Sequence, residues 1–434
     1  MALPSTLTDL ASALRANRLP LTDYLAQLEA QFAARESSIL AFVPEANRFE
    51  RLRREAQELE RRYPALDARP PLYGVPVGVK DIFHVMGFTT RAGSQLPPEV
   101  IQGAEAECVT ALKTAGALIL GKTVTTEFAY FGPGPTRNPH NLDHTPGGSS
   151  SGSAAAVAAR LCPLALGTQT IGSVVRPASF CGVVGYKPTY ERISRAGVIP
   201  LSPSFDHIGV FATDVAGAAL AARVLCRNWQ LGYVEKKPVL AIPEGPYLER
   251  ATDEGLKHFR ATCLRLREAG YLIRPVNVMP DFSAIRERQY LITAADAYRV
   301  HAQAGWFPRF RDLYHPKTLE LLDRGQAISD EHLADALAGR EKLKAELNDL
   351  MDEYQIDVWI SPAAPGVAPK GLESTGDPVM NLPWTQVGFP ALNLPSGRNG
   401  EGLPLGLQLT GRWNQDEVLF EWALEIETVI GHPI

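Results

Sequence analysis

The stretch TPGGSSSGSAAAVAARLCPLALGTQTIGSVVRPASFCG, residues 145–182, constrains the fold more than any other part of the chain. Glycines and serines run without a break into an alanine-rich apolar block. A Gly/Ser linker joins domains, whereas this loop feeds an apolar helix over 152–161 whose small side chains permit close backbone packing. A phosphate cradle would need GxGxxG or GxxxxGK[ST], and neither is present. A literal GxSxG does occur, from Gly148 to Gly152. A nucleophile elbow requires a strand directly before the serine, and what precedes here is TRNPHNLDHTPG, which is loop chemistry. Asp206 and His207 supply an acid and a base downstream, but sequence neighbours rarely line up as acid, base and nucleophile.

The remaining reading is a serine hydrolase whose base is lysine. GVPVGVKDIF alternates Val75, Val77 and Val79 like a strand and ends on Lys80. Ser149 stands in the Gly-rich loop and Ser173 in a second glycine turn, TIGSVVRP. A lysine is a base only when neutral, and its ordinary pKa of about 10.4 falls by several units when apolar burial disfavours the charged form. A serine hydroxyl becomes a good nucleophile when a base removes its proton during attack. A second serine relays that proton when the amine is out of reach. Gly172 beside Ser173 lets consecutive backbone N–H groups face a developing oxyanion.

The surrounding pattern alternates strands with helices. The first 65 residues read as helices, with Leu21, Leu25, Leu28 and Phe32 on one face, and Phe49, Leu52, Ala56 and Leu59 on another. KKPVLAIPEG, a helix over 251–269 and YLIRPVNVM form a β-α-β unit. Residues 282–354 read as helical and aromatic-rich. IDVWISP and LPLGLQLTG read as strands, and Asn414 with Glu417 reads as the cap of a last amphipathic helix. With no clear linker, the expectation is one α/β domain over 1–434, a mixed sheet covered by helices on both faces. Its expected parts are a helical segment (1–65), a core (72–215), a variable helical region (230–350) and a return to the core (355–434).

Composition narrows the function classes. Hydrophobic residues make up 45% and charged residues 21% of the 434, which supports a large core. The net charge of −5 with mixed signs argues against nucleic acid as a partner. The longest apolar block, near 154–166, is broken by Arg160 and Pro163, so no membrane span is expected. The start lacks a basic region followed by an apolar block, so no signal peptide is expected. Five dispersed cysteines without a CxxC suggest reduced core thiols and a cytoplasmic setting, with Cys181 a small buried hydrophobe. No metal-ligand spacing is present, and no metal or cofactor is expected.

Taken together, these motifs resemble the amidase signature family, the Ser–cis-Ser–Lys amidohydrolases. The resemblance rests on GVPVGVKD, AGALILGKTVTTEFA, TRNPHN, TPGGSSSGSAAAVAA, LALGTQTIGSVVRPASFCGVVGYKPT and VIPLSPSFDHIG, and continues in VGFPALNLPSG and GLPLGLQLTG. It implies the amidase signature fold, with Lys80 as base, Ser149 as the serine after a cis peptide bond, and Ser173 as the acyl-forming nucleophile. It further implies an oxyanion hole from the backbone N–H groups of Thr170, Ile171, Gly172 and Ser173. Gln169 stands where the family usually has Asp, Ile171 where it has Gly, and Arg176 one position later than usual. Arg176 is expected to be a structural ion-pair or hydrogen-bond donor. The substrate pocket is expected to draw on Phe128 and Tyr130.

The expected activity is hydrolysis of non-peptide C–N bonds in small apolar or aryl amides, with carbamates (urethanes) and esters as further substrates. The expected partner is a small-molecule substrate, and the expected state is a monomer or homodimer. The alternative is the amidase component of a tRNA-dependent amidotransferase, which makes ammonia from glutamine within a complex. RPASFCGVVGYKPTYERISRAGVI is close to that subgroup.

Overall fold

Apolar residues at both odd and even positions dictate strands that are covered on both sides. Every residue of Pro76–Lys80 (β1), Leu118–Thr123 (β2) and Leu164–Gln169 (β3) is buried. The same holds for Val184–Lys187 (β4) and His207–Ala212 (β5). Leu240–Glu244 (β6), Ile273–Asn277 (β7), Val358–Pro362 (β8), Ala391–Arg398 (β9) and Pro404–Thr410 (β10) complete the set. The computed structural model describes residues 4–230 and 232–431; residues 1–3, 231 and 432–434 of the expected 1–434 unit lie outside the described residues.

All ten strands join one mixed sheet in the order β2-β1-β3-β5-β4-β9-β10-β8-β6-β7. Strand β1 is parallel to β2 and β3, and β6 is parallel to β7 and β8. The pairings from β3 through β10 to β8 are antiparallel. The expected β-α-β unit is β6, the helix Asp253–Glu268 and β7. One sheet running from residue 76 to residue 410 bears out the single α/β architecture.

The register places the chemistry. Val79 lies beside Leu166 across the parallel β1–β3 pair, so Lys80 at the end of β1 comes level with the C-terminal half of β3. Over these strands packs the helix Ser151–Ala158, whose residues up to Val157 are buried. Gly152 makes that approach possible, because a Cβ there would stand 2.1 Å from the Ala41 carbonyl oxygen and 2.4 Å from Val124 N.

The helical middle consists of Phe282–Gln303, Pro316–Gln326 and Asp330–Glu353. The expected cap of the last helix is corrected. That helix spans Asp416–Ile430 without a side-chain cap, Asn414 has a left-handed φ of 57° with its N–H on Thr189 Oγ1, and Glu417 pairs with Arg192. Asp416 is instead buried, accepting from Tyr186, Thr189 and Arg192. All five cysteines are free and buried, Cys181 among them. Among the described residues no helix is long and apolar enough to cross a membrane.

Candidate active site

Lys80 is fully buried, and its Nζ lies 2.7 Å from Ser149 Oγ and 2.8 Å from Thr168 Oγ1. Burial drives its pKa well below the ordinary lysine range, while the charge of Asp206 acts in the opposite direction. A neutral amine has one lone pair and two protons. It can accept from the Ser149 hydroxyl while donating to Thr168.

Ser149 follows a cis peptide bond, Gly148–Ser149. The loop around it is pinned on every side. Gly148 O accepts from Arg176 Nη2 at 2.5 Å, and Arg176 also donates to Thr375 Oγ1 and the Gly376 carbonyl. Ser149 O accepts from Thr126 N, Ser150 Oγ donates to Thr168 O, and Ser151 Oγ donates to Gly147 O. The buried Arg176 is therefore a hydrogen-bond donor to the chain around Ser149, and burial lowers its pKa to about 10.

Ser173 sits in the turn between β3 and the helix Val175–Cys181, and is 8% exposed. Among the described residues no hydrogen bond joins Ser173 to Ser149 or Lys80. The turn before it is held from behind. Gln289 Nε2 donates to Thr170 O at 2.8 Å, and Thr385 Oγ1 donates to Ile171 O at 2.7 Å. In a trans peptide the N–H points opposite to the C=O, so the N–H groups of Ile171 and Gly172 face away from Gln289 and Thr385. Among the described residues no protein acceptor engages the N–H of Thr170, Ile171, Gly172 or Ser173, although the turn is buried. Buried donors of this kind are rare without a purpose, because each costs free energy when unpaired. Gly172 is required there: a Cβ would stand 2.4 Å from Asn381 Oδ1.

The two departures in this turn have structural explanations. Gln169 Oε1 accepts from Val174 N at 2.8 Å and Val175 N at 2.9 Å, while its Nε2 donates to Thr385 Oγ1. Its carbonyl caps the helix start as a carboxylate would, and its amide adds a donor that a carboxylate lacks. The side chain of Ile171 is 5% exposed and packs in the main core.

Asp206 and His207 do not form a serine triad. Asp206 accepts from Thr170 Oγ1 at 2.6 Å and from the N–H groups of Leu201 and Ser202, and burial raises its pKa to about 6. The His207 ring is buried against the Phe205 carbonyl, with burial holding its pKa well below the usual imidazole range. Thr168, Asp206, Gln289 and Thr385 are parts of the site that motif spacing leaves unassigned. Gln289 and Thr385 lie far along the chain from the turn they hold, so no local signal marks them.

Two cavities adjoin these elements. A cleft of about 430 Å³ is lined by Tyr130, Arg286, Tyr290, Arg324 and Asp377, and by Pro378, which also bounds Gly172. A second, of about 240 Å³, has apolar walls from Ile82, Val198, Ile199 and Ile208, and reaches Thr168 and Asp206. Tyr130 therefore lines a cleft. Phe128 instead is 1% exposed, with its ring centroid 4.6 Å from His301 and 5.6 Å from Trp306. The aromatics of the helical middle that contact it are packed as core. Among the described residues no cluster of His, Cys, Asp and Glu could hold a metal ion.

A family model described as Amidase matches residues 32–420. A glutamyl-tRNA(Gln) amidotransferase subunit from Thermus thermophilus is 34% identical, over 87% of this chain and 88% of its own length. A solved structure described as an amidase superposes with a TM-score of 0.89 at 31% identity, covering 98% of this chain and all of the other. A further structure, described in connection with a vestigial protein complex and the origins of an s-triazine catabolic enzyme, gives a TM-score of 0.85 at 28% identity. It covers 98% of this chain and 99% of the other.

Proposed function

This chain belongs to the amidase signature family, hydrolases of amide C–N bonds, and from that premise we propose that Ser173 is its acyl-forming nucleophile, activated through Ser149 by neutral Lys80. The observation that carries this reading is the fully buried Lys80 amine 2.7 Å from Ser149 Oγ.

The steps follow from the chemistry of these groups. As Ser173 Oγ bonds to the substrate carbonyl carbon, its proton passes to Ser149 Oγ, and the Ser149 proton passes to Lys80 Nζ. The carbonyl oxygen gains the negative charge and accepts from the free N–H groups of residues 170–173. Collapse breaks the C–N bond as Ser149 protonates the leaving nitrogen and recovers a proton from Lys80. A water then attacks the Ser173 ester by the same relay, releasing the acid and restoring both serines.

For the substrate, the amide of glutamine within an amidotransferase complex is the better-supported reading. The names of the curated relatives favour it, and so does the 430 Å³ cleft, where Arg286, Arg324 and Asp377 offer both charges that an amino acid needs. In that case the partners are other proteins of the complex, rather than the monomer or homodimer expected from the sequence. Apolar or aryl amides and carbamates form the second reading, favoured by the apolar walls of the 240 Å³ cavity beside Thr168.

The test is to incubate the purified chain with glutamine, an anilide and an aryl carbamate, and to look for acyl adducts by mass spectrometry. An adduct on Ser173 that disappears in Ser173→Ala supports the nucleophile. An adduct on another serine, or turnover undiminished in Ser173→Ala, overturns it. Ammonia from glutamine that appears only with added partner proteins supports the first substrate reading; rapid anilide or carbamate turnover by the lone chain supports the second.

A further inference from the structure

A cavity of about 270 Å³ lies outside the Lys80–Ser149–Ser173 site. Its walls carry three guanidinium residues, Arg35, Arg160 and Arg398, together with His140. Asp214 is the one acidic residue among its described lining, and its Oδ1 caps the helix Val215–Leu225 by accepting from Gly217 N. Among the described lining, three guanidinium groups thus stand against one carboxylate, in a chain whose net charge is −5.

Two of these cations have no carboxylate partner among the described residues. Arg35 donates to the Ala159 carbonyl, and the Arg160 guanidinium makes no hydrogen bond there. Across the cavity, Arg398 donates to His140 Nδ1 and the Gly402 carbonyl. His140 Nε2 then donates to the Cys181 carbonyl at 2.8 Å. Burial, with the charges of Arg398 and Arg35, holds the His140 imidazole below its usual pKa against the opposing pull of the Cys181 carbonyl. Thr213 also lines the cavity. The remaining wall is mixed, with apolar Pro139, Val157, Ala158 and Val183 beside the hydroxyl residues Ser5 and Thr6.

We propose that this cavity binds a small organic oxyanion, its charged oxygens held by Arg35 and Arg160 and its compact apolar body set against the half-buried Pro139 and Ala158. Guanidinium donors suit planar or tetrahedral oxyanions, because their N–H groups lie in a fixed fork. The volume exceeds what an inorganic ion fills, and the apolar part of the wall supplies further contact. Gly182 and Cys181 on the same lining end the helix Val175–Cys181, which begins two residues after Ser173. The occupant thus sits at the far end of the helix that carries the proposed nucleophile turn.

The experiment is isothermal titration of the full chain, at low ionic strength, with phenyl phosphate, benzoate and inorganic phosphate. Saturable binding of phenyl phosphate or benzoate at one site, tighter than inorganic phosphate, is expected; whichever of the two wins identifies the head group. Arg35→Gln with Arg160→Gln should weaken it by about tenfold or more, as loss of charge-assisted hydrogen bonds does. Arg160→Gln alone keeps the fold intact, since no hydrogen bond of the fold depends on its guanidinium, and should weaken binding in the same direction. Lys342→Gln, an exposed cation outside the cavity, should bind as the unaltered chain does. Absence of saturation, equal affinity in the arginine variants, or equal loss in Lys342→Gln overturns the proposal. Ser173→Ala should bind the probes unchanged, so the outcome is independent of the hydrolytic reading.

Discussion

Asp206 holds Thr170 by a 2.6 Å hydrogen bond from the threonine hydroxyl, at the first residue of the turn that leads to Ser173. The same carboxylate is the charge that opposes the loss of basicity at Lys80. One buried acid thus touches both halves of the proposed machinery, the oxyanion turn by contact and the amine by its field.

Asp206 ionises at about 6 in the folded chain because burial disfavours its charge. A folded pKa above the unfolded value of about 3.9 means that the folded state holds the proton more tightly. Its contribution to stability is present below pH 4 and is lost as pH rises through about 6, roughly 3 kcal/mol in all. Asp206→Asn should flatten this part of the stability curve, read from urea midpoints between pH 4 and pH 7. It should also move the lysine-dependent limb of the pH–rate profile to lower pH, since the charge that supports the ammonium is gone. An unmoved limb would limit Asp206 to holding Thr170.

Lys80→Met should separate stability from activity. A folded pKa depressed by burial means that the lysine lowers stability progressively as pH falls from its unfolded value near 10.4 through its folded value, so it already carries a cost at neutral pH. An apolar side chain of similar length removes that cost. Denaturation at pH 7 should show a variant at least as stable as the original, with kcat lower by about 10²–10⁴-fold, as for loss of a general base. A marked loss of stability would contradict a neutral buried amine.

Gly172→Ala tests the oxyanion turn. The added Cβ would meet Asn381 Oδ1 at 2.4 Å and Pro378 Cβ at 2.8 Å, so the turn must shift. Loss of one aligned donor lowers kcat by about 10²–10³-fold, and steady-state kinetics should show kcat falling much more than KM rises. Shortening the obstructing side chain with Asn381→Ala in the same chain should recover part of the loss.

Gln169→Ala removes the acceptor shared by Val174 N and Val175 N. Loss of a helix cap costs about 0.5–2 kcal/mol, measurable as a lowered thermal midpoint. Gln169→Asp keeps an acceptor at the helix start and should recover most of the stability, while losing the donor to Thr385.

The motif residues are legible because their neighbours in sequence carry the signal. Lys80 closes a valine alternation, Ser149 opens a Gly-rich loop, and Ser173 follows a glycine. Strands β3, β4, β5 and β9 carry no such signal, although the Lys80 site is built on β3. Buried on both faces, they show no period-2 alternation, and their glycines and alanines resemble loop or helix. Aromatic residues are hard to place for a related reason. Composition cannot tell a ring that lines a cleft, as Tyr130 does, from one packed behind it, as Phe128 is.

The sequence by itself determined which groups are available: one lysine at a strand end, two serines in glycine turns, and a family pattern that names a chemistry. Only the tertiary structure decided that the amine is dry, that Thr168 shares it with Ser149, and that Gln289 and Thr385 hold the turn from behind. The physical reason is that burial and hydrogen-bond direction depend on residues more than a hundred positions apart being packed together by one sheet.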